Sequence, residues 1–126
     1  MSGGRAGRSD ARRDLSISLN NVGDILLLQE KLEESRSHYA ESLEIRRKVQ
    51  ATDESSQVAK TDVAQGLLRL ADVELKAMKP EKSREFLTEA MSILTPLKEA
   101  DLLQSAADQT LLETLQQKLN DLPHPL

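Results

Sequence analysis

The chain repeats itself once, without a gap. Residues 19–45 align with residues 67–93 at a spacing of 48, and nine of these 27 positions are identical. The identical pairs are Leu19/Leu67, Asp24/Asp72, Leu27/Leu75, Lys31/Lys79, Glu33/Glu81, Ser35/Ser83, Arg36/Arg84, Glu41/Glu89 and Ile45/Ile93. A recurrence of this length predicts one supersecondary unit built twice, in which stacked units bury apolar faces that neither can bury alone.

Each copy has the apolar spacing of helices. The stripes of the two corresponding helices are Leu15, Leu19, Val22 and Leu26, then Val63, Leu67, Leu70 and Val73. This spacing of three and four residues is typical of an amphipathic helix. Residue types that favour strands are sparse, and aromatic residues make up only 2% of the chain. The sequence therefore predicts an all-α fold.

Capping residues and prolines suggest where the helices begin and end. Residues 1–8 hold three of the five glycines and are expected to form a disordered tail. Residues 9–122 are expected to form a single domain. It would contain a first hairpin over about 9–51, a second over about 57–94 and a capping C-terminal helix over about 105–122. Thr95 and Pro96 are expected to break or kink the fourth helix.

Three features of the first copy resemble the tetratricopeptide repeat (TPR) family. Its first helix, over residues 19–26, has a leucine followed by Gly23; the turn and second-helix start over 29–35 are similar to that family's. Tyr39 and Ser42 occupy positions where the family prefers an aromatic and a small residue. The resemblance covers residues 16–49 and, in a more degenerate form, 64–97. It implies stacked antiparallel helical hairpins, a TPR-like α-solenoid fragment.

The sequence departs from the family pattern at three points. The turn position usually held by glycine is Glu30 in one copy and Met78 in the other. A left-handed backbone at such a residue costs about 1–2 kcal/mol. Arg47 replaces the usual closing proline, and the spacing of 48 exceeds the family's usual 34 or so. Longer helices or a longer connection are therefore expected.

The resemblance also implies a concave groove lined by the first helix of each hairpin. The groove residues it implies are Asn20, Asp24, Leu27, Leu68, Arg69, Asp72, Leu75 and Lys76. Leucines mixed with charges suit an extended peptide or an amphipathic helix, so the expected function is a non-catalytic protein–protein interaction adaptor, or scaffold. Asp24 and Asp72 disfavour a partner that presents a C-terminal carboxylate. The alternative is that these residues form an ordinary polar helix face.

Catalysis and metal binding find little support in the residue types. The chain has no cysteine and only two histidines, His38 and His124, which are distant in sequence. No glycine-rich phosphate loop follows a strand pattern. We therefore expect no enzymatic activity, no cofactor and no metal site.

Charge and hydropathy narrow the choice of partners. The net charge of −4 argues against nucleic acid, because binding to its backbone needs a basic field. No apolar stretch is long enough to cross a membrane, and a cytoplasmic location is expected. Arg5, Arg8, Arg12 and Arg13 form a basic arm, which we interpret as solubilising, although contact of this arm with an acidic partner or with nucleic acid stays open.

The C-terminal helix carries a leucine stripe formed by Leu111, Leu115 and Leu119. It has three interpretations: a cap on the open end of the stack, an internal mimic of a groove-bound peptide, or a surface that pairs with a second copy. The last gives the alternative function, a structural subunit that self-associates as a homodimer through this stripe.

Overall fold

The structure is a computed structural model that describes residues 3–123, with side chains described from Asp10 to Pro123. Within this range the chain forms five α-helices and no strand, which confirms the all-α prediction. The helices are α1 (Gly3–Leu28), α2 (Leu32–Thr52), α3 (Gln57–Lys76), α4 (Pro80–Glu99) and α5 (Ala106–Asp121).

Sequence neighbours are also neighbours in space. α1 packs along α2 and α3 along α4, which gives two helical hairpins, and α2 packs on α3 to join them. α5 packs mainly on α4 and touches α3. The predicted stack of antiparallel hairpins with a C-terminal capping helix is therefore confirmed.

The three turns that end α1, α3 and α4 have the same conformation. Glu30, Met78 and Asp101 have φ of 61°, 63° and 58°, in the left-handed region. In each turn the next residue donates its N–H to a carbonyl five residues earlier, as in Lys31 to Leu26 at 2.9 Å. This pattern is a Schellman motif, which usually has glycine at the left-handed position. Glu30 and Met78, which occupy the turn position where the resembled family usually has glycine, therefore carry the steric cost of a left-handed backbone.

Two predicted boundaries differ from those in the structure. α1 begins at Gly3 rather than near residue 9, so the predicted disordered tail is helical from Gly3 onward, and Met1 and Ser2 lie outside the described residues. Arg5, Ala6 and Arg8 are good helix formers, and extending an existing helix is easier than nucleating a new one.

Pro96 does not break α4, contrary to our expectation, because the helix continues to Glu99. A proline removes one backbone hydrogen bond from a helix. In α4 the residue that follows it, Leu97, is buried in the core, and this burial favours one more helical turn.

The core lies between the hairpins and beneath α5. It consists mainly of Tyr39, Leu43, Val63, Leu67, Leu70, Val73, Leu87, Leu94 and Leu115. α1 adds little to it, because three of its buried residues, Ser16, Asn20 and Gly23, are small or polar. Ser35 and Ser42 of α2 donate hydrogen bonds to the carbonyls of Gly23 and Ser16, each at 2.8 Å. Of the stripe predicted for α1, only Leu26 is buried, Leu19 is half-buried, and Leu15 and Val22 are exposed.

Candidate functional site

Two ion pairs cross the face formed by the first helices of successive units. Asp24 of α1 accepts a hydrogen bond from Arg69 of α3 at 3.1 Å, and Asp72 of α3 pairs with Lys118 of α5 at 3.0 Å. Asp24 and Asp72 occupy the same repeat position. We call these four residues the ion-pair ladder. In this contact α5 occupies the position that the first helix of a third hairpin would have.

In the first hairpin, Tyr39 of α2 contacts Asp24 of the ion-pair ladder. The Tyr39 hydroxyl donates a hydrogen bond to Asp24, and the ring is buried against Gly23. A Cβ atom on Gly23 would lie 2.5 Å from Tyr39 Cε1, so only glycine leaves room for the ring. Burial, together with the hydrogen bond to Asp24, raises the pKa of the Tyr39 hydroxyl above its usual value of 10. The phenol therefore stays protonated at neutral pH and acts as a donor.

The second hairpin has a cavity of about 130 Å³ at the corresponding place. Its lining is Asp72, Leu75, Ser83, Leu87, Lys118, Asp121 and Leu122. Four of these residues are the repeat equivalents of Asp24, Leu27, Ser35 and Tyr39. Leu87 is shorter than tyrosine, so the space that the phenol fills in the first hairpin is left open here. We call this space the Asp72 cavity.

The structure brings only part of the predicted groove set to the surface. Lys76 is exposed and the Leu75 side chain is 42% exposed, whereas Asp24, Arg69 and Asp72 are half-buried and paired within the chain.

The remaining three members of that set point inward. Leu27 and Leu68 pack against the core. Asn20 is buried, and neither its amide nitrogen nor its amide oxygen has a hydrogen-bond partner among the described residues. Helical spacing places these residues near the groove, but it could not show how deeply the neighbouring helices cover them.

Lys118 belongs to the site, and sequence reasoning missed it. It lies in α5, outside the 27-residue repeat, so no aligned position pointed to it. The signal was nevertheless present: Lys118 follows Arg69 by 49 residues, almost the repeat spacing, and both are basic.

A second polar cluster joins α1, α2 and α3 nearer the N-terminal ends of α1 and α3. Arg13 donates to Asp62 at 2.6 Å. The buried Arg46 donates to the Ser16 hydroxyl at 3.0 Å and to the Asp62 carbonyl at 2.8 Å. Burial lowers the pKa of Arg46, while the hydrogen bond to Asp62 raises that of Arg13. Arg13, predicted as part of a solubilising arm, is therefore a structural contact.

The part of the chain whose side chains are described contains one histidine, His38. His38 Nδ1 lies 2.9 Å from the Glu34 carbonyl oxygen on the helix surface. No three potential metal ligands cluster among those residues. Neither does any described helix combine the length and the apolar character that crossing a membrane requires.

The chain is similar to a curated plant protein. The chain is 31% identical over 102 residues to Protein NCA1 of Arabidopsis thaliana. The alignment covers 81% of this chain, which spans about a quarter (25%) of the length of that relative. No family model matches the chain, and no solved structure matches it.

Proposed function

We propose that this chain is a non-catalytic adaptor that binds a protein partner along the ion-pair ladder. The observation that carries the proposal is the Asp72 cavity, which opens beside the exposed Leu75 and is lined by both apolar and charged groups. Binding pockets combine apolar walls with a few placed polar groups in this way. A partner segment laid across α3 and α5 would anchor one side chain in the cavity.

The first hairpin suggests which side chain fits. There the equivalent space holds a phenol that donates to Asp24. The Asp72 cavity offers the matching carboxylate, and its volume of about 130 Å³ is close to the ~150 Å³ of a cavity that accepts benzene. We propose a tyrosine of the partner as the anchor, a residue type that often dominates binding energy at interfaces.

Three further statements belong to the proposal. The chain would be a diverged TPR protein, supported by its two stacked hairpins, their common turn conformation and the small residues Gly23 and Ser42 at the helix contact. The absence of catalysis and the cytoplasmic location stay predictions from the sequence. Any activity shared with the Arabidopsis protein would concern only the quarter of that protein that this chain matches.

The alternative function, self-association through the leucine stripe, has less support. Leu111 and Leu115 are buried within the chain and Leu119 packs against the core. A second copy could reach them only if α5 left its place on α4.

The test is a pull-down from the native host with two variants of matched exposure. Leu75→Glu places a charge at the mouth of the Asp72 cavity and is expected to remove the bound partner. Leu102→Glu is the control, because Leu102 is 40% exposed, close to the 42% of Leu75, and lies away from the cavity. Equal retention of partner by both variants would rule out this site, and circular dichroism checks that both are folded.

A tyrosine mimic then tests the anchor separately. N-acetyl-tyrosinamide is expected to shift the NMR signals of Leu87 and Leu122 in the parent chain. The Asp72→Asn variant is expected to bind this mimic more weakly than the parent chain does. N-acetyl-phenylalaninamide, which lacks the donor, is expected to bind Asp72→Asn and the parent chain alike. If the Asp72→Asn variant loses the same affinity for both mimics, the Asp72 carboxylate does not accept a hydrogen bond from the tyrosine hydroxyl. The assignment of tyrosine as the anchor would then be wrong.

A further inference from the structure

The outer face of α1 is apolar and uncovered. Leu15, Val22 and Ile25 are 51%, 43% and 55% exposed and lie along one side of the helix, with the small Ser18 between them. We call these four residues the α1 outer face. Single exposed apolar residues are ordinary on protein surfaces, but a run of them along one helix marks an interaction site.

The equivalent face of α3 is covered by a helix. The repeat spacing of 48 pairs the two faces as Leu15/Val63, Ser18/Gly66, Val22/Leu70 and Ile25/Val73. Val63, Gly66, Leu70 and Val73 are all buried. α2 covers this side, because a Cβ atom added to Gly66 would meet Leu43 of α2, at 3.1 Å from Cδ1 and 3.8 Å from Cα. α1 thus keeps the residue pattern that α3 uses to receive the second helix of the preceding hairpin.

We infer that the α1 outer face is a docking site for the second helix of a helical hairpin that belongs to another protein. A second copy of this chain does not supply such a helix. The corresponding face of its α2 is covered by α3, and that of its α4 by α5. The occupant is therefore a helix whose docking face is free.

The α2–α3 contact also indicates the chemistry of that partner helix. A leucine would lie over Ser18, as Leu43 lies over Gly66. A basic residue three positions later would lie beside the exposed Asp14, because Arg46 donates to the backbone carbonyl of Asp62, the repeat equivalent of Asp14.

At one position the partner helix must have a different residue from α2. Arg36 of α2 donates to Glu74 at 2.7 Å, but the repeat equivalent of Glu74 in α1 is the buried Leu26. An arginine there would lose its carboxylate partner and its hydration, which is costly. The partner is therefore expected to have an apolar residue seven positions before its leucine.

The experiment uses a labelled peptide with the α2 sequence, residues 32–52, and the full chain as receptor. Fluorescence anisotropy is expected to show binding that weakens at least tenfold in Val22→Asp and in Ile25→Asp. The matched control is Leu28→Asp, a change on the same helix at a side chain that is exposed but lies off the outer face, and its affinity is expected to equal that of the parent. A peptide carrying Arg36→Leu is expected to bind more tightly than the native sequence.

Three outcomes would overturn the inference. The first is that the peptide does not bind, and the second is that Val22→Asp and Leu28→Asp weaken binding equally. The third is a concentration-dependent dimer of the chain alone that disappears in Val22→Asp, because a second copy would then cover the face. Light scattering on the parent and on Val22→Asp distinguishes this third case.

Discussion

Tyr39 of α2 packs directly against Gly23 of α1. The ring lies where a glycine Cβ would be, so the residue types at the two positions depend on each other. In the second hairpin both members change together, to Leu87 and Ala71. The difference between these two pairs thus explains why a cavity opens beside Asp72 and not beside Asp24.

Gly23→Ala is expected to lower the free energy of unfolding by about 1–3 kcal/mol, because overpacking against a buried ring outweighs the gain in helix propensity. The control is Gly66→Ala, whose new Cβ would lie 3.1 Å from the flexible end of Leu43. This change is expected to be close to neutral. Urea denaturation of the two variants measures both values, and an equal loss of stability in both would contradict the explanation.

The raised pKa of Tyr39 predicts how stability depends on pH. The folded state keeps the phenol proton above pH 10, the usual pKa, while the unfolded state loses it. Stability from this group is therefore fully present below pH 10 and is lost as the pH rises further. Tyr39→Phe is expected to show a shallower decline in stability above pH 10 than the parent. Identical slopes in denaturation series from pH 8 to about pH 12 would contradict this expectation.

At the scale of the helices, the shared turn is the feature that gives the hairpins their geometry. Glu30, Met78 and Asp101 accept a left-handed backbone without being glycine. The cost is offset because each turn satisfies carbonyls at the end of a helix and lets the next helix or segment fold back. Sequence alone indicated two of these turns, through the repeat, but not the third, at Asp101, which lies beyond it.

Met78→Gly is expected to raise the free energy of unfolding by up to about 1 kcal/mol, because glycine has no steric penalty at positive φ. Met78 is exposed, so little packing is lost. Lys76→Gly, two residues earlier within the helix, should lower stability by about as much. Thermal unfolding of the two variants tests the opposite signs, and a loss of stability in Met78→Gly would contradict the role assigned to the turn.

Most of the helices could be predicted from the sequence, but which of their faces are covered by other helices could not. The predicted start of the second hairpin, at about residue 57, agrees with the start of α3 at Gln57, where the Ser56 hydroxyl accepts from the Ala59 N–H. Periodicity also showed that α1 is amphipathic. It could not show that Val22 is exposed among the described residues, because burial depends on whether another helix is present and not on the sequence of α1.

At the scale of the whole molecule, the two ends of the stack differ. The α1 end presents an uncovered apolar face, whereas α5 covers the last hairpin and repeats the contacts of a first helix. Lys118 takes the place of Arg69 at the ladder. Arg84, the repeat equivalent of Arg36, donates to the carbonyl of Pro123 just beyond α5.

Leu115→Glu is expected to release α5, because it places a charge at a fully buried position. The face of α4 that α5 covers would then be free, and it can meet the α1 outer face of another molecule. We therefore expect a higher molar mass in light scattering, accompanied by partial loss of helical circular dichroism. Adding Val22→Asp to this variant should restore the monomer mass.

The control for that variant is Gln116→Glu, which adds the same charge to an exposed position of α5 and should change nothing. The result also separates two ideas about the leucine stripe. If the stripe itself holds two copies together, Leu115→Glu would lower the molar mass instead of raising it.

The cover that α5 provides gives the described residues a direction. α5 packs on α4 and touches α3, whereas the α1 outer face stays exposed. Among the described residues, a further helix can therefore join the stack beside α1 without displacing any helix, but beside α4 it would first have to displace α5.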